Sequence, residues 1–202
     1  VQGKDGRLFL LNRDSLGGRV ASGGTDKALG VTSTGDAQYG HQAVWGGDGG
    51  FIYDSTYSYG LRAYAYGLTA NGQPALTDVG GSQTRYFGFG SGSPIVTSDG
   101  TISGSATVWL ITEAGANGRD GILHAFNAVP SGGTLNEIFT ASIGGATKFS
   151  SPMSYNGRIY VGTRCSPATT PLDNLPSDCH DGQIQAYGSP TTNLLTGATL
   201  DL

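Results

Sequence analysis

Short segments of alternating apolar and polar residues run along the whole chain, and glycine-rich turns separate them. The clearest example is segment 118–128, in which an Asp-Gly turn leads into a predicted strand. Ile122, His124 and Phe126 point to one face of this strand, and the residues between them point to the other. A period of two residues is typical of β-strands, so the pattern predicts an all-β fold of short strands.

The same turn-strand unit recurs along the chain. Related units span 4–12 and 180–188, and a looser unit without the Asp spans 59–66. The residues at the equivalent position of each unit are Leu8, Leu61, Leu123 and Ile184. They are 53, 62 and 61 residues apart. A four-strand module that repeats at roughly this spacing is typical of the blades of a β-propeller.

The alternation and the turn residues together predict the individual strands. Strands are predicted at 8–11, around Val20, and at 41–45, 51–53, 61–66, 74–77, 93–96, 107–112, 122–128, 135–140, 151–155, 158–163 and 183–187. Asn156 and Gly157 predict a tight hairpin turn between two of them. The predicted blades are approximately 1–24, 35–80, 81–142 and 143–190, with a tail or linker at 191–202.

Composition agrees with an all-β chain and excludes some partners. Glycine contributes 35 residues, only 13% of the residues are charged, and the net charge is -4. The sequence contains no cluster of Lys and Arg that would follow a phosphate backbone, which argues against nucleic acid as a partner. It also contains no apolar run long enough for a membrane span. Because the chain starts at Val1, we expect it to begin inside a longer precursor.

Two parts of the repeat resemble a known family. Segments 151–163 and 181–188 resemble the repeat of quinoprotein-like (PQQ-repeat) β-propellers, and segments 93–96 and 120–127 are similar. The resemblance covers roughly residues 1–190 and implies a ring of about six to eight blades. The chain itself predicts about three to four blades of four antiparallel strands. We therefore expect it to be the C-terminal part of a longer propeller chain, or half of a ring completed by a second copy, or one unit of an open array.

The resemblance also implies what an enzyme of this class needs. Quinoprotein enzymes stack the quinone on a Trp, cap it with adjacent cysteines and bind Ca²⁺ through Glu, Asn and Asp. This sequence lacks a Cys-Cys pair, and Trp45 and Trp109 lie in predicted strands, where core packing is the simpler interpretation. Asp5, Asp120 and Asp181 are interpreted as turn formers. We therefore expect no cofactor, no metal site and no catalytic residue.

The two cysteines lie close together in a proline-rich segment. Cys165 and Cys179 are predicted to form a disulfide, which implies an oxidising compartment and a secreted or periplasmic protein. Unpaired thiols are one alternative. A metal site with His180 is another, although two Cys and one His give only three ligands.

Histidine and tyrosine supply the candidate binding residues. His124 is interpreted as a structural histidine, whereas His41 is a candidate contact at the mouth of a channel. Tyr57 and Tyr59 belong to a cluster of tyrosines and are candidates for binding a protein or a carbohydrate. The alternative is that these tyrosines fill contacts between blades.

The sequence favours a non-catalytic secreted scaffold that binds a protein or carbohydrate partner or supports extracellular assembly. Its expected partners include the remaining blades or a second copy of the chain. One alternative is a fragment of a quinone- or metal-dependent oxidoreductase whose active site lies in other blades. The other is a structural subunit of an extracellular fibre or sheath.

Overall fold

A computed structural model describes residues 1–113, 120–164 and 182–188. The strands within these ranges are β1 (Arg7–Leu10), β2 (Gly30–Ser33), β3 (Ala43–Trp45), β4 (Phe51–Thr56), β5 (Gly60–Leu68), β6 (Pro74–Gly81), β7 (Ile95–Thr97), β8 (Thr107–Glu113), β9 (Gly121–Asn127), β10 (Glu137–Gly144), β11 (Met153–Tyr155), β12 (Arg158–Gly162) and β13 (Ile184–Tyr187). The predicted all-β class is confirmed. In the part of the chain that is described, no helix is long and apolar enough to cross a membrane.

The strands form four antiparallel sheets, each built from consecutive strands. The first sheet pairs β1 with β2. The second contains β3 to β6 and the third contains β7 to β10, in each case in chain order across the sheet. The fourth contains β11 to β13. The repeat seen in the sequence therefore corresponds to one small sheet after another.

Each sheet packs against the next one along the chain. Leu8 of the first sheet meets Tyr64 and Leu76 of the second in one buried cluster. The largest cluster lies between the second and third sheets, and another lies between the third and fourth. Burial of an aliphatic side chain contributes about 1.5–3 kcal/mol, so these clusters hold the sheets together.

Strand β9 shows why the third sheet must be covered on both faces. Leu123 belongs to the cluster shared with the fourth sheet, and Phe126 belongs to the cluster shared with the second. Both residues are at most 2% exposed. Their alternation places them on opposite faces, so the third sheet is the middle layer of a stack.

One predicted strand lies elsewhere. The expected strand around Val20 is absent from the structure, and β2 at Gly30–Ser33 pairs with β1 instead, with Val31 opposite Phe9. The segment around Val20 contains Gly17, Gly18 and Gly23 with positive φ, a conformation of turns rather than strands. The β-branched pair Val31 and Thr32 suits an extended backbone better.

The last strand of the third sheet begins later than predicted. The sequence predicts 135–140, whereas β10 spans Glu137–Gly144. Leu135 is only 1% exposed and its backbone N–H donates to the carbonyl of Gly81 at 2.9 Å, so it anchors the incoming loop on the second sheet. The predicted hairpin at Asn156 and Gly157 is confirmed, with φ of 47° and 71°.

Candidate binding surface

Three connecting segments meet beside the turn between β4 and β5. They are the loop after β2, the segment that joins β6 to β7 and the loop after β10. Each brings aromatic side chains to the surface. We call the group of Tyr39, Tyr57, Tyr86, Phe89 and Phe149 the aromatic surface.

The rings of the aromatic surface pack against one another. Tyr57 and Tyr86 meet edge to face with centroids 5.0 Å apart, and their hydroxyl groups are hydrogen-bonded at 2.8 Å. Phe89 lies edge to face with Tyr39 at 4.6 Å and with Phe149 at 5.7 Å. Tyr39, Tyr86, Phe89 and Phe149 are nevertheless exposed. The rings thus support one another while leaving much of their area to solvent.

Two small cavities open between these rings. One, of about 270 Å³, is lined by Asp36, Tyr39, Tyr57 and Phe89. The other, of about 220 Å³, reaches inwards to Glu113, which is only 3% exposed. The surface is therefore ridged rather than flat.

Cationic side chains border the aromatic surface. The ammonium group of Lys4 lies 5.4 Å from the ring centre of Tyr39, and that of Lys148 lies 6.0 Å from the ring centre of Phe89. Both distances suit cation–π attraction. Asp36 fixes the neighbouring turn, because its carboxylate accepts hydrogen bonds from the backbone of Ala37 and of Ser58, each at 2.7 Å.

The backbone at Phe149 is held in an unusual conformation. Its φ is 64°, in the left-handed region that bulky side chains rarely adopt. Its N–H donates to the carbonyl of Gly90 at 2.7 Å, which ties the loop after β10 to the segment before β7. An added Cβ at Gly90 would overlap the carboxylate of Glu113, so any larger residue there would displace the Glu113 side chain. Strain of this kind concentrates at functional sites.

The sequence-predicted candidates are only partly brought together. Tyr57 belongs to the aromatic surface. Tyr59 is exposed but lies apart from the cavities, with its ring against Gly35. His41 is exposed, its backbone N–H donates to Ser93 Oγ at 2.9 Å, and its ring Nδ1 lies 3.3 Å from the carbonyl of Gln42.

The structure tests only some of the predictions for the cysteines, the turn aspartates and the tryptophans. Cys165, Cys179, His180 and Asp181 lie outside the described residues, so the disulfide remains a prediction. Asp5 accepts a hydrogen bond from the backbone of Arg7, as expected of a turn former. The residues Trp45 and Trp109 pack in or against the cores between sheets.

Sequence reasoning missed Tyr86, Phe89 and Phe149. Phe89 lies in the glycine-rich segment 88–92, which is typical of a turn, and Tyr86 lies just before it. Its signal is the combination of aromatic rings with glycines on either side, because such rings have few neighbours to bury them. Phe149 lacks this signal, because Lys148 and Ser150 flank it, and only the fold places it beside Phe89.

The strand β4 carries a buried carboxylate. Asp54 is completely buried, and burial raises its pKa to about 6, opposed by a hydrogen bond from Gln42. The side-chain amide of Gln2 satisfies its neighbours best with its nitrogen towards Asp54, donating to both carboxylate oxygens at 2.8 and 2.7 Å. This network links the first residues of the chain to the second sheet.

A second polar cluster is centred on His124. Its Nε2 lies 2.7 Å from Thr112 Oγ1, and its Nδ1 lies 2.5 Å from Glu137 Oε1. This order of hydroxyl, imidazole and carboxylate resembles the arrangement that activates a nucleophile. Thr112 is only 2% exposed, however, and a nucleophile must reach its substrate. The cluster is therefore suited to holding β8, β9 and β10 together.

Among the described residues, no group of three or more His, Cys, Asp or Glu side chains is placed to hold a metal ion. Comparison of the chain with protein-family models, curated proteins and solved structures found no match.

Proposed function

We propose that this chain is a non-catalytic β-propeller scaffold, secreted or periplasmic, that docks a protein partner on the aromatic surface. The propeller assignment is supported by four small antiparallel sheets made of consecutive strands, each packed on the next. Two of these sheets have the four strands of a blade. The resemblance to quinoprotein-like repeats adds to this support.

The observation that carries the binding function is the aromatic surface itself. Tyr86 is 56% exposed and Phe89 47% exposed, although both have aromatic neighbours that fix their position. Exposed apolar groups that cluster and are rimmed by polar residues mark interaction sites. Tyr in particular is enriched at the energetic centres of protein interfaces.

The geometry favours a protein over a neutral sugar at this surface. Phe89 meets Tyr39 at 63° and Phe149 at 71°, and Tyr57 meets Tyr86 at 73°. Although Tyr39 and Phe149 are stacked at 27°, the edge-on rings break up the common plane on which sugar rings would stack in a row. Lys4 and Lys148 at the rim provide cations for acidic side chains of a partner. An apolar centre with a charged rim is the ordinary anatomy of a protein interface.

Extracellular assembly is a second candidate, supported by the fourth sheet. Its face away from the third sheet exposes Met153, Tyr155 and Ile184, each at least 60% exposed. The covered face of the same sheet contributes Ile159 and Val161 to the core. Another sheet, from remaining blades or from a second copy, would cover the exposed face as the third sheet covers the other.

Retention of partners by the immobilised protein tests the proposed docking. The double variant Tyr86→Ala/Phe89→Ala should lose the proteins that the native chain retains from an extracellular or periplasmic extract. Tyr66→Ala is the matched control, because Tyr66 is also exposed but lies on β5. Equal retention by all three proteins would exclude the aromatic surface as the docking site.

Catalysis and assembly need separate measurements. Dehydrogenase activity on addition of a quinone cofactor and Ca²⁺ would contradict the non-catalytic assignment. Light scattering coupled to size-exclusion chromatography measures the mass in solution. A mass of two or more chains that falls on Tyr155→Ser substitution would favour assembly through the fourth sheet.

A further inference from the structure

One of the two cavities within the aromatic surface has three rings and one carboxylate in its walls. It is lined by Tyr39, Tyr57, Phe89 and Asp36, and we call these four residues the aromatic cage. The volume of about 270 Å³ lies just below the ordinary range of drug-sized sites. The aromatic cage therefore suits a compact head group rather than an extended chain.

The three rings of the aromatic cage come from separate segments and are held in position. Phe89 and Tyr39 meet at 63° with their centroids 4.6 Å apart, so they form two walls of a corner. Tyr57 is fixed by Tyr86, through an edge-to-face contact at 5.0 Å and a hydrogen bond of 2.8 Å between the two hydroxyl groups. A ligand would therefore meet walls that need little rearrangement, which lowers the cost of binding.

The charge of the aromatic cage favours a cation. Within the described chain, Asp36 is the only charged residue that lines the cavity. Its carboxylate accepts hydrogen bonds from the backbone of Ala37 and of Ser58, each at 2.7 Å, so the negative charge has a fixed place in the wall. The faces of the aromatic rings attract cations as well.

The scarcity of hydrogen-bond acceptors in the aromatic cage selects the kind of cation. A primary ammonium group brings three N–H donors, and donors that lose water without gaining acceptors are costly. The walls consist largely of ring faces, and both carboxylate oxygens of Asp36 already accept a backbone hydrogen bond. A trimethylammonium group has no N–H and presents methyl groups to the rings. It is therefore the cation that fits the cage.

Two lysines beside the aromatic cage indicate an anionic group next to the trimethylammonium group. The ammonium group of Lys4 lies 5.4 Å from the ring centre of Tyr39, and that of Lys148 lies 6.0 Å from the ring centre of Phe89. Neither lysine lines the cavity, and neither forms an ion pair with another described residue. A phosphate at this rim would gain both their charge and their N–H donors.

We propose that the aromatic cage binds a phosphocholine group. The trimethylammonium group lies between the three rings, with its charge facing Asp36. The phosphate lies at the rim, where Lys4 and Lys148 bind it. This ligand uses rings of the proposed docking surface, but it binds without a protein partner. Phosphocholine occurs both in soluble molecules and as a lipid head group, and the experiment separates these two sources.

Isothermal titration calorimetry with phosphocholine tests this site. The matched ligand is 3,3-dimethylbutyl phosphate, in which carbon replaces the nitrogen, so the shape is kept and the positive charge is lost. We expect saturable binding of phosphocholine and about fivefold or more weaker binding of the isostere, because the isostere loses the cation–π attraction. Choline lacks the phosphate and should also bind more weakly than phosphocholine.

Variants of the charged residues locate the binding. Asp36→Asn should weaken binding of phosphocholine about fivefold or more and leave binding of the isostere unchanged, because only phosphocholine carries the positive charge. Asp26→Asn is the matched control, since Asp26 also accepts a backbone hydrogen bond but does not line the cavity. The double variant Lys4→Gln/Lys148→Gln should weaken binding of phosphocholine but not of choline.

A variant of one ring covers the case in which Asp36→Asn disturbs the turn that it fixes. Tyr39→Leu keeps an apolar side chain at an exposed position and removes the aromatic face. It should weaken binding of phosphocholine more than binding of the isostere, because the isostere gains only apolar contact. Equal weakening of both ligands would contradict recognition of the cation.

Sedimentation with phosphatidylcholine vesicles identifies the source of the group. Retention on the vesicles that soluble phosphocholine abolishes would assign the site to the lipid head group. Binding of soluble phosphocholine without retention on vesicles would assign it to a soluble carrier. Either result supports the proposed chemistry.

Three outcomes would overturn the proposal. They are no binding of phosphocholine, equal binding of phosphocholine and its isostere, and equal effects of Asp36→Asn and Asp26→Asn. Trimethyllysine that binds as tightly as phosphocholine would assign the cage to a methylated peptide instead. The titrations use no protein partner, so failure of the proposed docking and failure of phosphocholine binding are separate results.

Discussion

Nδ1 of His124 lies 2.5 Å from Oε1 of Glu137, across the pairing of β9 with β10. The histidine is almost completely buried, whereas the glutamate is partly open to solvent. The other ring nitrogen is taken by Thr112 of β8, so one imidazole connects three strands of the third sheet.

Removal of this carboxylate should destabilise the fold. We expect Glu137→Ala to lower the free energy of unfolding by about 1–3 kcal/mol, because it leaves a buried ring nitrogen without its partner. Urea denaturation measures the change. Asp14→Ala is the control, since Asp14 pairs with Arg13 in full exposure and should contribute less than about 0.5 kcal/mol. Equal changes in the two variants would contradict a structural role for the His124 cluster.

Asp54 should make stability depend on pH. Burial raises its pKa from 3.8 to about 6. Between these values the folded state holds a proton that the unfolded state has lost, so the contribution of Asp54 to stability falls as pH rises from about 4 to about 6. The full effect is on the order of 3 kcal/mol.

The variant Asp54→Asn removes this dependence while keeping the shape of the side chain. Unfolding of both proteins should be measured at pH 4 and at pH 7. Relative to the native chain, the variant should gain stability between these two values. A difference that is constant with pH would show that Asp54 does not titrate in this range.

At position 149, a glycine substitution should leave the protein more stable than an alanine substitution, which is the reverse of the usual order. Because φ is 64° at this position, Phe149→Gly should be more stable than Phe149→Ala by about 1 kcal/mol. Both variants lose the ring, so both should weaken docking on the aromatic surface. Thermal unfolding compares their stabilities, and an advantage for alanine would mean that the left-handed backbone is not kept in solution.

The stability of the hairpin of β11 and β12 should depend on its second turn residue, Gly157. Gly157 has φ of 71°, so Gly157→Ala should cost about 1–2 kcal/mol of unfolding free energy. Gly46→Ala is the control, because its added Cβ meets no atom within 4 Å and the backbone there is not left-handed. Denaturant titration measures the free energy of unfolding of both variants. No change at either position would argue against the tight turn.

The periodicity of the sequence predicts a strand well where its pairing partners lie close to it along the chain. The strand β9 and the hairpin of β11 and β12 follow directly from alternation and from an Asp-Gly or Asn-Gly turn. The strand β2 does not, because its place depends on pairing with β1 across 19 intervening residues. Only the fold reveals that the partner of β1 is Gly30–Ser33 and not the polar segment around Val20.

The candidate sites were less accessible to sequence reasoning. Tyr57 stands out because neighbouring tyrosines draw attention to it. Phe89 and Phe149 are 60 residues apart and become one surface only when the loops meet.

The consecutive order of strands within each sheet also bears on how the chain acquires its structure. Hydrogen-bonded partners in the second and third sheets lie within one module of the sequence, so each sheet requires only short loops to close. Because each sheet packs on the one before it, we expect each new sheet to form on the previous one during synthesis. During synthesis the second sheet has all of its strands once residue 81 has left the ribosome. Hydrogen exchange on chains truncated between modules would then show protection advancing one sheet at a time.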